Sequence, residues 1–324
     1  MNRCPTEIWA LIFSYACTDS GRTGRSLSRV SRYFREVSRH VRLQSIAVHG
    51  IDQINAFAAL LDSTPPRERR VRYLAISTRP RCRPTSTRSR GSTPYLTNIH
   101  QYTISGSPGH YWDTHSARQK LLVALPRIFA MLAPSLYAIH LIVPFRDPAR
   151  LLPPRMPSLM ELHLLTSDLR GQYLDLQPSF SDDKPATKHS RSRAACYPAL
   201  RRLRFGFLQN TTGVFGRIAK LAPSLTRLEF AIPEHSSLYE DLEVALEPMV
   251  PLEAIQLSED GVHRRDRRSR RTESLPQTLE SVVVRMSRPP DATKSPGWAQ
   301  MHAVTFDALT RLAVKDSRVV LVQS

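Results

Sequence analysis

The residue types that enzymes use for catalysis occur in this chain, but not at the spacing that nucleotide or hydrolase sites require. A phosphate-binding loop needs the pattern G-x-x-x-x-G-K-[ST] after a strand, because its backbone amides wrap the phosphate and its lysine contacts it. The segment 21–26 approaches the glycine spacing only loosely and follows a predicted helix. The serine-hydrolase motif G-x-S-x-G is absent, and Ser105-Gly106-Ser107 lacks the surrounding strand, turn and helix. Neither kind of site is predicted.

Metal-ligating and acidic side chains also fall short of a site. His110, Asp113 and His115 lie close together, and nitrogen and carboxylate groups can bind zinc. The two histidines do not have the i, i+4 spacing of one helix face, and no third strong ligand is evident. An aromatic-rich loop that packs on the rest of the chain is therefore favoured over a metal site. Asp182 and Asp183 show no sign of the opposed environments that acid–base catalysis needs. We expect a binding protein rather than an enzyme, with no metal and no cofactor.

The cysteines and the apolar runs indicate where such a protein would work. Cys4, Cys17, Cys82 and Cys196 lie far apart and form no C-x-x-C pair, so neither a disulfide framework nor a zinc finger is predicted. No apolar run reaches the ~18 residues of a membrane-spanning helix. Glu7 interrupts the N-terminal segment, which lacks a secretory cleavage pattern. We expect a cytoplasmic or nuclear protein in a reducing compartment, with no membrane partner.

The positive charge is unevenly distributed along the chain. The 324 residues include 46 Lys and Arg against 28 Asp and Glu, a formal net charge of +18. The excess concentrates in residues 1–50 and in three Pro-, Ser- or Arg-rich stretches without hydrophobic periodicity. Such stretches predict exposed, disordered inserts at about 79–115, 178–195 and 262–272. They could attract nucleic acid, and 263–271 could be a nuclear localisation patch. Because no aromatic residues are interleaved for base stacking, solvated loops are favoured.

The first fifty residues predict two helices of different character. Pro5 suits the start of the first helix. Trp9 and Phe13 form an i, i+4 pair that lies off the main apolar stripe. One core face cannot satisfy a short helix that is apolar on nearly all sides, so it is either buried centrally or binds a partner. Its position near the terminus favours a partner. The main stripe follows the i, i+3, i+4, i+7 rule with Ile8, Leu11, Ile12 and Tyr15.

The second predicted helix covers about residues 24–39. Its apolar face has Leu27, Val30, Phe34 and Val37, and its opposite face is rich in arginine. An extended segment is predicted to follow this helix, because apolar residues then occur at Val41, Leu43, Ile46 and Val48.

The rest of the chain contains a repeat. The template L-x-x-L-x-L places its last two apolar residues on one side of a short strand. Proline precedes most copies, and helical patterns at Ser116–Leu132, Val214–Leu221 and Leu238–Leu246 precede several. Helix, proline and strand in succession predict a leucine-rich-repeat-like α/β solenoid with its strands on one face. A nonrepetitive α/β domain is the alternative. The eight copies begin at Val71, Leu136, Leu159, Leu200, Leu225, Leu252, Leu279 and Leu309.

The variable positions of the template are candidates for recognition. They are rich in arginine in two neighbouring copies, which would suit an acidic or phosphorylated segment of a substrate. These positions include Arg201, Arg202, Arg204, Thr226, Arg227 and Glu229.

The N-terminal segments resemble the F-box, and in particular the F-box-like proteins abundant in mushroom-forming fungi. The resemblance covers about 45 residues and is carried by Pro5-Thr6-Glu7-Ile8-Trp9, Ile12-Phe13-Ser14 and Leu27-Ser28-Arg29-Val30-Ser31-Arg32-Tyr33-Phe34-Arg35. It implies a small helical bundle that binds the Skp adaptor of a cullin–RING ubiquitin ligase. In that family a C-terminal module, often of leucine-rich repeats, holds the substrate.

The resemblance also implies which residues contact the adaptor. Val30 and Phe34 fit core positions equally well, and Trp9 fits either role. Ile8 and Phe13 do not clearly share a helix face, so one of them could be a core residue rather than a contact. Cys4 stands where the family usually has leucine, and the loop Asp19–Arg25 is longer than in the commonest pattern. The implied adaptor contacts are Pro5, Ile8, Ile12, Phe13, Leu27, Val30, Ser31 and Phe34.

Together these patterns predict an F-box-like helical domain at 1–49 and a repeat solenoid at 50–324. The expected function is a substrate receptor of a ubiquitin ligase, with a Skp-type adaptor and an unidentified protein substrate as partners. The alternative is an F-box-like repeat protein outside a ligase, which would bind nucleic acid or another acidic partner through the basic inserts.

Overall fold

The computed structural model forms two compact units. One comprises residues 1–144 and 151–153, and the other comprises 145–150 and 154–324. The predicted inserts lie outside the residues that the structure describes, apart from His115, and so does the repeat copy that begins at Leu252. The described residues are 4–19, 21–78, 115–143, 151–153, 155–166, 197–206, 214–232, 238–246, 275–286, 289, 292–293 and 296–323.

The first unit combines an N-terminal group of helices with three parallel strands. Strands β1, β2 and β3 pair in chain order, with Ile46 beside Leu74 and Leu74 beside Ile139. A short 3-10 turn at Pro66–Glu68 precedes β2. The elements are α1 (Thr6–Ala16), α2 (Arg22–Val30), α3 (Arg32–Val37), β1 (Ser45–His49), α4 (Gly50–Ser63), β2 (Tyr73–Ser77), α5 (His115–Leu132) and β3 (Ala138–Val143).

The second unit continues the alternation of strand and helix. Its five described strands are also parallel and pair in chain order from β4 to β8. The elements are β4 (Glu161–Thr166), β5 (Arg202–Phe205), α6 (Val214–Leu221), β6 (Arg227–Ile232), α7 (Leu238–Leu246), β7 (Ser281–Met286), α8 (Pro296–Lys315) and β8 (Val319–Gln323).

The repeat template corresponds to strands in six of its copies, which form β2 to β7. In β5, Leu203 and Phe205 are both buried, as alternation along a strand requires. The first apolar position of the template, such as Leu225 in the turn before β6, is also buried. The predicted α/β class is thus confirmed, and the structure shows that the strands are parallel. The solenoid and the F-box stay predictions.

The last copy of the template was assigned to the wrong element. Leu309 and Leu312 are buried on helix α8, while Val314 is 85% exposed. Since a spacing of three places residues on one helix face as well, the template does not distinguish the two elements here. The strand lies further on, in β8. The template does not match β8, because its first apolar position, three residues before Val319, is occupied by Asp316.

The single helix predicted over about 24–39 is two helices. Ser31 separates α2 from α3 with an extended backbone at φ −162° and ψ 167°. Its hydroxyl accepts a hydrogen bond from the backbone N–H of Phe34 at 3.1 Å and so caps the start of α3. This break could not be predicted from the apolar pattern, because that pattern continues past Ser31.

The three helices predicted between repeat copies are confirmed. Two have the predicted bounds, and α5 begins one residue earlier, at His115. The predicted extended segment is confirmed only in its second half, where Ile46 and Val48 belong to β1, while Val41 and Leu43 lie in turns. Among the helices of the described residues, none is long and apolar enough to cross a membrane.

Candidate partner-binding surfaces

Helix α1 carries two apolar stripes that face opposite environments. Trp9, Phe13 and Cys17 follow one another at intervals of four residues, the last just beyond the helix, and face inward. Phe13 is 3% exposed. The aromatic rings of Trp9, Phe13 and Phe34 pack with centroids 5.1–5.6 Å apart. Together with Val37, these residues form a core that the N-terminal helices supply themselves.

The other stripe of α1 faces solvent. It spans about 10 Å along the helix axis, given the rise of 1.5 Å per residue. All four of its side chains are large, and Tyr15 is 75% exposed. We call this stripe the outer apolar surface; it consists of Ile8, Leu11, Ile12 and Tyr15. Large apolar patches on a protein surface usually mark a site of contact with another molecule.

More exposed apolar side chains lie where α2 meets α3. Val30 ends α2 with 63% of its surface exposed, and Tyr33 in the first turn of α3 is about half exposed. These two helices also carry a concentration of exposed cations, which would favour a partner with acidic groups beside its apolar ones. The exposed arginines are Arg22, Arg25, Arg29, Arg32 and Arg35.

The predicted adaptor contacts divide into exposed and covered residues. Pro5, Ile8, Ile12, Val30 and Ser31 are exposed, whereas Phe13 is buried. The structure therefore does not bring all the predicted contacts to one accessible surface. The two remaining contacts pack partly buried against the helical core; they are Leu27 and Phe34.

Three exposed apolar residues of these N-terminal helices were not among the predicted adaptor contacts. Leu11 and Tyr15 belong to the i, i+3, i+4, i+7 stripe that the sequence already revealed, so the periodicity contained the signal. Tyr33 had no such signal, because its exposure depends on the break at Ser31.

Close packing and capping hold α2 against the end of the helical group. Gly24 is buried, and a Cβ atom at this position would lie 2.4 Å from the backbone oxygen of Arg42, so only glycine allows this approach. The carboxylate of Asp19 accepts hydrogen bonds from the backbone N–H groups of Gly21 and Thr23. Such bonds satisfy donors at the start of a helix.

Cys17 lies in the core of this helical group and is a poor nucleophile. Burial, and secondarily the carboxylate of Asp19, raise the pKa of the Cys17 thiol to about 11. Since the thiolate is the reactive form of cysteine, we expect Cys17 to react slowly at neutral pH.

A charged cluster lies on the second unit, on one side of strands β4 to β7. We call it the basic strand face; it consists of Glu161, Arg202, Arg204, Arg227, Glu229 and Arg285. In β5 and β6 these residues alternate with the buried Leu203, Phe205, Leu228 and Phe230, so they share the opposite side of the strands.

Glu229 is the centre of the basic strand face. This buried carboxylate accepts a hydrogen bond from Nε of Arg285, lies 3.2 Å from Nη1 of Arg204, and lies 4.0 Å from Nη2 of Arg227. Burial lowers the pKa of Arg204, and the charge of Glu229 opposes that effect. Glu229 therefore stabilises a charge that would otherwise be costly to bury.

Within the described parts of the chain, no group of three or more His, Cys, Asp or Glu side chains is placed to hold a metal ion. No protein-family model matches the chain, nor does any curated protein or solved structure.

Proposed function

We propose that this chain is the substrate-receptor subunit of a Skp–cullin–F-box ubiquitin ligase. The N-terminal helices would bind a Skp-type adaptor, and the repeats would bind the protein substrate. Such a receptor works in the cytoplasm or the nucleus.

The observation that carries this proposal is the two-sided character of α1. Its inner stripe already fills the core that the N-terminal helices share, so the outer apolar surface is not needed for that core. Exposing Ile8, Leu11, Ile12 and Tyr15 to water is unfavourable unless another molecule covers them, because apolar burial is worth about 25 cal/mol per Å². A Skp-type adaptor would provide such a cover.

The sequence supports the same partner. The F-box-like motifs fall on this helical group, and Ile8 and Ile12 belong to both the motif and the outer apolar surface. Phe13 belongs to the motif as well, but its burial gives it the role of holding the helices together.

A receptor of this kind performs no chemical step itself. It holds the substrate close to a ubiquitin-loaded enzyme and so raises the effective concentration of substrate lysines. The strands and helices of the second unit would offer a surface for that purpose.

Binding of the full chain to a purified fungal Skp adaptor, measured by biolayer interferometry, tests the proposal. We expect Ile8→Asp combined with Ile12→Asp to weaken binding at least tenfold, because burying one large aliphatic side chain is worth about 1.5–3 kcal/mol. Phe13 should be left intact, since its replacement would unfold the helical group and make a loss of binding uninformative.

Leu60→Asp is the matched control. Leu60 is a half-exposed apolar residue on α4 of the same unit. It should leave adaptor binding unchanged, and circular dichroism should show all variants folded. A folded wild-type chain that does not bind the adaptor would refute the proposal. Salt-dependent binding of nucleic acid by such a chain would then favour the alternative that involves the basic inserts.

A further inference from the structure

The strand register brings arginines together in the second unit. Arg202 of β5 is the direct neighbour of Arg227 on β6, and Arg204 is the neighbour of Glu229. Adjacent strands lie only about 4.8 Å apart, and like charges in directly paired positions destabilise a sheet. Positions that break such a local rule are expected where a binding site requires them.

The positive charge on this face is not neutralised by its own carboxylates. Four arginines stand against two glutamates. Glu229 is shared by Arg204, Arg227 and Arg285, and Glu161 accepts one hydrogen bond from Nη1 of Arg202 at 3.1 Å. The six residues of the basic strand face thus have a formal charge of +2 among themselves.

The two neighbouring arginines are also the accessible ones. The Arg202 side chain is 61% exposed and that of Arg227 is 46% exposed, whereas that of Arg204 is 8% exposed. A guanidinium group has five N–H donors, so an arginine with a single carboxylate partner keeps donors for a second one. Two guanidinium groups side by side match the geometry of carboxylate or phosphoryl oxygens.

We propose that the basic strand face binds an acidic peptide segment, whose carboxylate or phosphoryl groups are held by Arg202 and Arg227. Given the proposed function, this segment would belong to the substrate, so the inference rests on that function for its biological meaning. The physical binding event does not require the adaptor.

A peptide fits this face better than a nucleic acid does. Among its described positions on β4 to β7, the face includes His163 beside Arg204, but no Phe, Tyr or Trp on which a base could stack. Glu161 and Glu229 would repel a continuous phosphate backbone, whereas a peptide can place its few anionic groups beside the arginines.

Fluorescence anisotropy with the full chain tests this proposal at about 0.15 M salt, where weak long-range attraction is screened. Three labelled peptides of equal length should be compared: one rich in glutamate, one with phosphoserine, and one with glutamine and serine at the same positions. We expect the anionic peptides to bind and the neutral one not to bind. Their relative affinities show whether carboxylate or phosphoryl oxygens are preferred.

Two sets of variants locate the binding. Arg202→Gln with Arg227→Gln should weaken binding by about tenfold or more, because charge-assisted hydrogen bonds are lost. Arg39→Gln with Arg127→Gln removes the same charge from similarly exposed arginines of the first unit and should have little effect. Glu161→Gln should strengthen binding, since it releases Arg202 from its carboxylate partner.

The inference would be overturned if neither anionic peptide bound, or if both double variants lost binding equally. It would also be overturned if single-stranded RNA bound more tightly than the peptides and the changes at Arg202 and Arg227 abolished that RNA binding. Adaptor binding is measured separately. A chain that binds the adaptor but no acidic peptide refutes only this inference, and the reverse result refutes only the ligase function.

Discussion

Neighbouring residues of α1 have different roles, and the difference is one of exposure rather than of residue type. Ile12 and Phe13 are both large and apolar, yet one faces solvent and the other fills the core. A substitution at Ile12 should therefore affect binding, and one at Phe13 should affect folding. This distinction makes separate tests of function and stability possible.

The Cys17 thiol should resist alkylation in the folded protein. With a pKa of about 11, only about one thiol in a thousand is ionised near pH 8, compared with roughly a quarter of unperturbed thiols. We expect iodoacetamide to modify Cys17 at least a hundredfold more slowly than it does in the urea-unfolded chain. Mass spectrometry of the peptide that contains Cys17 would measure both rates.

The same shift predicts a pH dependence of stability. Because folding raises the pKa of Cys17, its contribution is fully present below the unfolded value of about 8.5 and is lost as the pH rises through about 11. Rapid alkylation of Cys17 in the native protein at pH 8 would contradict its placement in the helical core.

Whole elements were predictable where local pattern and tertiary packing agree. Val214–Leu221 and Leu238–Leu246 were found from helical periodicity alone, and the strand template found β2 to β7. The break at Ser31 was missed because the apolar pattern continues through it. The outer apolar surface was visible as periodicity, but its exposure follows from what packs on the opposite side of α1.

The basic strand face could be predicted only in part. Arg202, Arg204 and Arg227 were marked as variable positions of the template. The contact of Arg204 with Glu229 depends on the register between β5 and β6, and Arg285 joins from a third strand, β7. Periodicity within one segment contains no information on that register.

The junction between α8 and β8 should depend on one ion pair. Arg318 donates to Asp316 through its side chain and its backbone N–H, and it also reaches the carbonyl of Leu246 on α7. The side-chain hydrogen bond from Arg318, against a smaller effect of burial, lowers the pKa of Asp316. We expect Asp316→Asn to cost about 1 kcal/mol of stability near pH 7, since partial solvent exposure weakens the pair.

The pH dependence of that variant provides the check. A lowered folded pKa means that the ionised carboxylate stabilises the protein above the unfolded value of about 3.9, and that this stabilisation is lost as the pH falls through the folded pKa. Urea unfolding of both proteins should thus show a difference at neutral pH that shrinks in strong acid. A difference that stays constant with pH would indicate a role of Asp316 other than charge.

At the scale of the whole molecule, the net charge of +18 should dominate binding to polyanions. We expect the chain to adhere to heparin at low ionic strength and to elute with salt. The two double-arginine variants should shift this elution equally, because each removes two charges. Unequal shifts would show that heparin contacts particular arginines rather than the overall field.

Strand pairing in chain order has a consequence for how such a sequence can change over time. Ser77 ends β2 and Ala138 begins β3, and these two strands are direct neighbours in spite of the long connection. Strands β5 and β6 are direct neighbours too, although the connection between them is much shorter. By a general estimate for chain closure, a longer connection costs little, about 0.6 kcal/mol for each doubling of its length. The segments between strands can therefore gain or lose residues through evolution while the paired strands keep their alignment. Lineages of such proteins could acquire new surface segments without rebuilding their hydrophobic interior.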